Sequence, residues 1–134
     1  MIYLDTSALA KLVVDEPESP HLATWLDARP DEVLVTSVLG RVELLRAARR
    51  HSAAALPAAL GMLAELALVP LTSDVIDSAW SLDPPGLRGL DAVHVASAAS
   101  LPGETTLLAY DSRLLAAARA VGLTALAPGD AGAP

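Results

Sequence analysis

Short apolar stretches alternate with helix-forming ones along the whole chain, and this limits the fold more than any other feature of the sequence. Residues 1–5 read as a buried strand, with a helix over 6–14 leaving its end. Ser19-Pro20 predicts a second helix start, a capping hydroxyl followed by proline at the first helical position, running to residue 28. A strand is expected over 33–36, long helices over 38–50 and 54–66, a strand over 67–71 and a helix over 73–81. The segment DPPGLRG reads as a loop. Beyond it come a helix over 92–100, a strand over 105–110, a helix over 112–121 closed by Gly122, and a last strand over 123–126. The alternation predicts one domain over 1–126, a three-layer α/β sandwich around a mostly parallel sheet. Residues 127–134, rich in Gly, Pro and Ala, read as a short flexible tail.

Acidic residues stand where several apolar segments break off. Asp5 ends MIYLD, Asp91 sits in LRGLDAVHVASA, Asp111 follows LLAY, and Glu43 lies within the helix GRVELLRA. Parallel strands joined by right-handed crossovers bring their carboxyl ends to one side, where ligands bind. Asp5 and Asp111 each follow an expected strand, so topology alone places both on that side. Carboxylates gathered there repel one another unless a divalent cation lies between them, and hard oxygen ligands suit Mg²⁺ or Mn²⁺. Each acid also has a plainer explanation. Asp5, Asp91 and Asp111 precede expected helices and could simply be N-caps; Glu43 could form a surface pair with Arg46 at i,i+3. Thr6 and Ser7 could orient a metal-bound water or merely support a helix start. His94, three residues past Asp91, reads more simply as a packed, hydrogen-bonded histidine than as a catalytic group. Tyr3, Trp25, Trp80 and Tyr110 read as core or half-core residues.

Composition excludes several other chemistries. There is no cysteine, hence no disulfide framework or thiolate zinc site, and three scattered histidines are too few for an imidazole site. Hydrophobic residues make up 53% but aromatics only 3%, so the core must be built from Leu, Val and Ala. No basic leader precedes the first apolar stretch, which Asp5 interrupts, and no uncharged run approaches the ~18 residues of a membrane span. A cytoplasmic protein is expected. The net charge of −7 argues against nucleic acid as a partner. Yet the four acids above account for more than half of that excess, and Arg41, Arg46, Arg49 and Arg50 cluster around Glu43. Neither a GxxxxGK[ST] loop nor a GxGxxG fingerprint is present. Lys11 is the only lysine, which disfavours receiver-type phosphoacceptor chemistry. Ser7 occupies the position where a haloacid-dehalogenase-like phosphatase carries its second Asp.

Four blocks carry a family resemblance: MIYLDTSALAKL, SVLGRVELLRA, LRGLDAVHVASA and LLAYDSRLLAAARAVGL. In their order and spacing the chain resembles a PIN-domain ribonuclease, specifically a VapC-type toxin of bacterial toxin–antitoxin pairs. The resemblance implies a PIN-like sandwich and Mg²⁺- or Mn²⁺-dependent endoribonuclease activity, with the acidic quartet on Asp5, Glu43, Asp91 and Asp111. Asp5 and Asp91 would be the leading metal ligands, with Glu43 and Asp111 completing the site directly or through water. Thr6, Arg46 and Arg113 are candidates for contact with the RNA substrate. A homodimer and a cognate antitoxin are implied as well, the antitoxin placing a side chain, often Arg, among the carboxylates. Its apolar docking surface could come from Leu9, Leu12 and Val13, which could equally be core. Two rivals remain open here: a catalytically silent PIN-fold binding module, and a metal-dependent phosphatase.

Overall fold

A computed structural model of the chain describes residues 1–131. In chain order the elements are β1 (Ile2–Leu4), α1 (Thr6–Val13), α2 (Ser19–Asp27), β2 (Leu34–Ser37), α3 (Val38–His51) and α4 (Ala55–Ala64). They continue as β3 (Ala67–Val69), α5 (Ser73–Trp80), α6 (Gly89–Ala99), β4 (Thr106–Leu108), α7 (Ser112–Ala120) and β5 (Thr124–Leu126). The five strands form one all-parallel sheet in the order β3-β2-β1-β4-β5, with Ile2 in register with both Leu34 and Thr106.

Strand side chains alternate between the two faces, and each face has its own core. Tyr3, Val35, Leu107 and Ala125 pack with Val95 of α6 and Leu114 and Ala118 of α7. Ile2, Leu4 and Leu108 pack on the other side with Leu9, Leu22, Leu44 and Ala59 of α1 to α4. This is the expected three-layer α/β/α sandwich. The order of connection reverses between β1 and β4. The chain moves outward through β2 and β3, then returns to the other flank of β1, so the crevice at the carboxyl ends of β1 and β4 is the topological switch point.

Element boundaries differ from the sequence reading in ways that local chemistry explains. Helix α6 begins at Gly89, three residues earlier than expected, so Asp91 lies in its first turn and is not its cap; Arg88 holds that position without a side-chain bond. Ser19 does not cap α2. Its hydroxyl donates to the Lys11 carbonyl at 2.6 Å and accepts from the Glu16 N–H, tying α1 to α2. Strand β3 stops at Val69, because Pro70 has no N–H to continue the ladder. Pro57 falls in the first turn of α4, where a missing N–H is harmless, and α3 and α4 are joined through residues 52–54. Helix α7 does close at Gly122 (φ +90°), whose N–H reaches Arg119 O while that of Leu123 reaches Ala118 O, a Schellman closure. The tail is tied down at its start: Ala127 is buried and the Tyr110 hydroxyl donates to Pro128 O at 2.7 Å. Residues 132–134 of that expected tail lie outside the described residues. Trp80, read as core or half-core, is 77% exposed.

Candidate active site

Asp5 leaves the end of β1 and caps α1. Its Oδ1 accepts from the Ala8 N–H at 2.9 Å and from the Ser7 hydroxyl at 2.7 Å. Ser7 Oγ in turn accepts from the Tyr110 N–H at 3.0 Å, and the Asp5 N–H donates to Leu108 O at 3.1 Å. The ends of β1 and β4 are thereby laced together across the switch point. Asp111, just beyond β4, caps α7 by accepting from the N–H groups of Arg113 (2.8 Å) and Leu114 (3.2 Å). Capping does explain Asp5 and Asp111, as the sequence allowed. It also aims both of them at the crevice, because a helix starting at a strand's carboxyl end puts its cap there.

Glu43 comes from one and a half turns into α3. The surface pair with Arg46 does not form. Instead Glu43 Oε1 accepts from the Thr6 hydroxyl at 2.7 Å and lies 2.7 Å from His94 Nε2. The Tyr3 hydroxyl lies 2.8 Å from His94 Nδ1, and Thr6 Oγ1 is 3.3 Å from Nε2. One proton arrangement satisfies the whole set: Tyr3 donates to Nδ1, and the N–H on Nε2 and the Thr6 hydroxyl both donate to Glu43 Oε1. His94 is packed and hydrogen-bonded, as expected. What the sequence did not disclose is that its partner is a candidate site carboxylate 51 positions away. Asp91, one helical turn before His94, completes the group.

The carboxylates feel one another. Burial pushes the Asp5 carboxyl above its usual range, the bonds from Ser7 and Ala8 oppose this, and the negative charge of Asp91 adds to it. Burial likewise raises Asp91, followed by the charge of Asp111 and, more weakly, that of Glu43, with Arg88 pulling the other way. Glu43 is held low: burial opposes its charge, but the bonds from His94 and Thr6 outweigh it. All four acids of the quartet therefore share one edge, with Asp91 electrostatically in the middle.

Donor chemistry fits a hard divalent cation, since every candidate ligand is a carboxylate oxygen. Among the described residues no three of these side chains are drawn together closely enough to wrap a bare ion. Thr6 is on the edge, bound to Glu43. Arg113 lines a separate hollow of about 680 Å³ with Leu87, Ala116, Ala117 and Ala120. Arg46 lies on the exposed face of α3 with Arg49 and Arg50. Leu9 is core, while Leu12 and Val13 are only partly buried against it.

Comparison with known proteins identifies the family. A family model for the PIN domain matches residues 2–127. Ribonuclease VapC47 of Mycobacterium tuberculosis is 45% identical over 133 residues, 96% of this chain and 98% of that one. The chain belongs to the PIN-domain family, with the VapC ribonucleases. Ribonuclease VapC35 of the same organism is also 45% identical, over 98% of this chain and 99% of its own. Among solved structures, this PIN domain resembles M. tuberculosis VapC20, described as a sarcin-ricin loop cleaving toxin. The TM-score is 0.70 and the identity 20%, over 92% of this chain and 96% of that one. It also resembles VapBC2 of Rickettsia felis bound to a promoter DNA fragment (TM-score 0.74, 14% identity, over 96% and 99%). At such identities these two structures attest the fold alone. PIN-domain VapC nucleases are metal-dependent as a class.

Proposed function

We propose that the edge formed by Asp5, Glu43, Asp91 and Asp111 is the catalytic centre of a Mg²⁺- or Mn²⁺-dependent endoribonuclease, the toxin of a toxin–antitoxin pair. The observation that carries this reading is the convergence of four carboxylates, from four separate elements, on the switch point of a VapC-type PIN fold. Asp5 and Asp91 would hold the cation directly, and Glu43 and Asp111 through water. Bound there, it would acidify the attacking water and offset charge growing on the phosphoryl oxygens.

The chain's own groups supply order. Thr6 and His94 occupy Glu43 Oε1, which fixes the carboxylate in one orientation and keeps it ionised. Ser7 and the Ala8 N–H do the same for Asp5. Arg46, on the α3 helix that carries Glu43, and Arg113, two residues after Asp111, would steady the substrate phosphates. Water attacks phosphorus, the bond from phosphorus to the 3′ oxygen breaks, and that oxygen leaves with a proton. The products are a 5′-phosphate and a 3′-hydroxyl.

The partners follow from the same reading. FitAB bound to a DNA fragment is another solved structure similar in fold, at TM-score 0.59, and its name, like that of VapBC2, denotes a complex. A cognate antitoxin would cover the edge and place a cationic side chain among the carboxylates. A homodimer is expected to form through the apolar face of α5 that carries Ile76 and Trp80. No helix among the described residues is long and apolar enough to cross a membrane.

The test is cleavage of structured and unstructured RNA by the purified protein with Mg²⁺ or Mn²⁺, beside Asp5→Ala and Asp91→Ala. Activity abolished by EDTA and in both variants is the expected result. Equal cleavage by all three proteins would betray a contaminating ribonuclease and remove the support. Hydrolysis of small phosphate esters with RNA left intact would instead make the edge a phosphatase site.

A further inference from the structure

Nine basic residues serve a chain of net charge −7, and they are used unequally. Lys11 lies 2.8 Å from Glu16 and 2.9 Å from Glu18. Arg29 sits over the Trp25 ring and donates to the Trp25 carbonyl. Arg119 donates twice to Ala125 O. Arg46, Arg49 and Arg50 do none of this. They are exposed, none of the three guanidinium groups has an ion pair or hydrogen bond among the described residues, and they alone line a shared hollow of about 320 Å³ on α3.

Sixteen acidic side chains were available to neutralise them, yet none is paired with this hollow. The helix dipole gives one reason for cations here, since Arg49 and Arg50 stand in the last turn of α3. Arg46 lies a turn earlier, beyond that favourable field. Three guanidiniums facing one hollow also repel one another, so the dipole does not account for their convergence.

Their position relative to Glu43 supplies the reason. On one helix, residues three and seven apart share a face. Arg46 follows Glu43 by three positions and Arg50 by seven, about 4.5 Å and about 10 Å further along the axis. The face therefore runs from the acidic edge straight into the hollow. Guanidinium forks match phosphate oxygens two at a time, which suits a polyanion passing along this face.

We propose that Arg46, Arg49 and Arg50 form a phosphate track for RNA, holding the backbone on the α3 side of the scissile bond. This rests on the endoribonuclease reading of the edge. The track supplies affinity and register, with no sequence discrimination of its own, because phosphate contacts position a strand without reading its bases. It also reconciles an acidic protein with a polyanionic substrate: positive charge is concentrated where the strand lies.

Binding of a fluorescently labelled single-stranded oligoribonucleotide, measured by anisotropy in EDTA as salt is raised, tests the track without turnover. Each neutralised phosphate contributes about 0.7 to the slope of log affinity against log salt on a single strand. Replacing all three arginines with Gln should reduce that slope by about 2 and lower affinity at low salt by tenfold or more. Arg46→Lys/Arg49→Lys/Arg50→Lys should keep most of the slope. These side chains are exposed, so folding is preserved, and a matched melting curve verifies it. An unchanged slope in the Gln variant would overturn the track and leave the cluster to a protein partner. Cleavage with Mg²⁺ is then followed on a long RNA. A track predicts a raised KM in the Gln variant that the Lys variant recovers, and an unchanged KM would count against it. Absence of cleavage by the wild-type protein would count against the endoribonuclease reading alone, since the binding slopes still decide the track.

Discussion

Asp5 and Glu43 are tuned in opposite directions by their immediate surroundings, and stability should report it. Asp5 is 4% exposed, and its folded carboxyl titrates above the ordinary 3.8 because burial disfavours the charge. Its favourable contribution belongs to the protonated form: complete below about 3.8, it is lost as pH rises through the folded value. Without metal, the charge on Asp5 is a liability. Asp5→Asn keeps the oxygen that caps α1 and accepts from Ser7, so it should raise the melting temperature of metal-free protein by a few degrees at pH 7. The gain should vanish in acid. Glu43 has the reverse sign. Its folded value lies below 4.5, so its contribution is present above about 4.5 and is lost as pH falls. Glu43→Gln should melt lower than wild type at pH 7. Thermal melts of both variants across pH decide the matter, and shifts of the same sign in both would contradict this account. Mg²⁺ should stabilise wild type and not Asp5→Asn, since only a folded site that binds the ion gains from it. The sequence showed that Asp5 could cap a helix or serve a site. It could not show that one carboxylate does both, because that depends on where the strand before it ends in space.

At the level of elements, the join between β2 and α3 does most to place the site. Strand β2 ends at Ser37, whose hydroxyl accepts from the Gly40 N–H at 3.1 Å and starts α3 without a loop. Gly40 lets that helix lie close to the sheet. A Cβ there would collide with Thr36 Oγ1, which donates to Leu4 O at 2.8 Å, and would stand 3.5 Å from His94 Cε1. Gly40→Ala should therefore cost about 1–3 kcal/mol, the usual range for overpacking a tight interior. Denaturant melts would measure this, and a variant as stable as wild type would show that α3 has room to move. The displaced Thr36 hydroxyl would lose its bond to Leu4 O, next to Asp5, so activity should fall further than stability explains. Helix α3 was legible from the sequence because it is long and amphipathic. The start of α6 was not. Arg88 makes no side-chain cap while Asp91 reads as one, so the turn from Gly89 carries no signal in the sequence; packing against α5 comes further along, through Ala92 and Ala96.

For the molecule as a whole, alternation and chain direction sufficed to predict a parallel sandwich, since right-handed crossovers leave few alternatives. Surface purpose is a different matter, and Trp80 marks the limit. An apolar residue one helical turn from Ile76 reads as buried, and 77% exposure cannot be inferred from local pattern. Ile76 is 43% exposed on the same face of α5, and Leu90, on the adjoining helix α6, is 53% exposed. The Trp80 indole N–H donates to Asp77 Oδ1 at 3.3 Å. Large aromatic side chains left in water on a rigid helix are the usual anchors of protein interfaces, where a central Trp is commonly worth 2 kcal/mol or more. If the second copy expected of this family seats here, Trp80→Ser should weaken dimerisation by about 30-fold or more. Light scattering across a dilution series would show a dimer giving way to monomer at higher concentration in the variant. The melting temperature of the isolated monomer should scarcely change, because Trp80 contributes little to the core. A wild-type protein that is monomeric throughout, or a variant that dissociates at the same concentration, would remove α5 from the interface. Trp80 would then be left for the antitoxin.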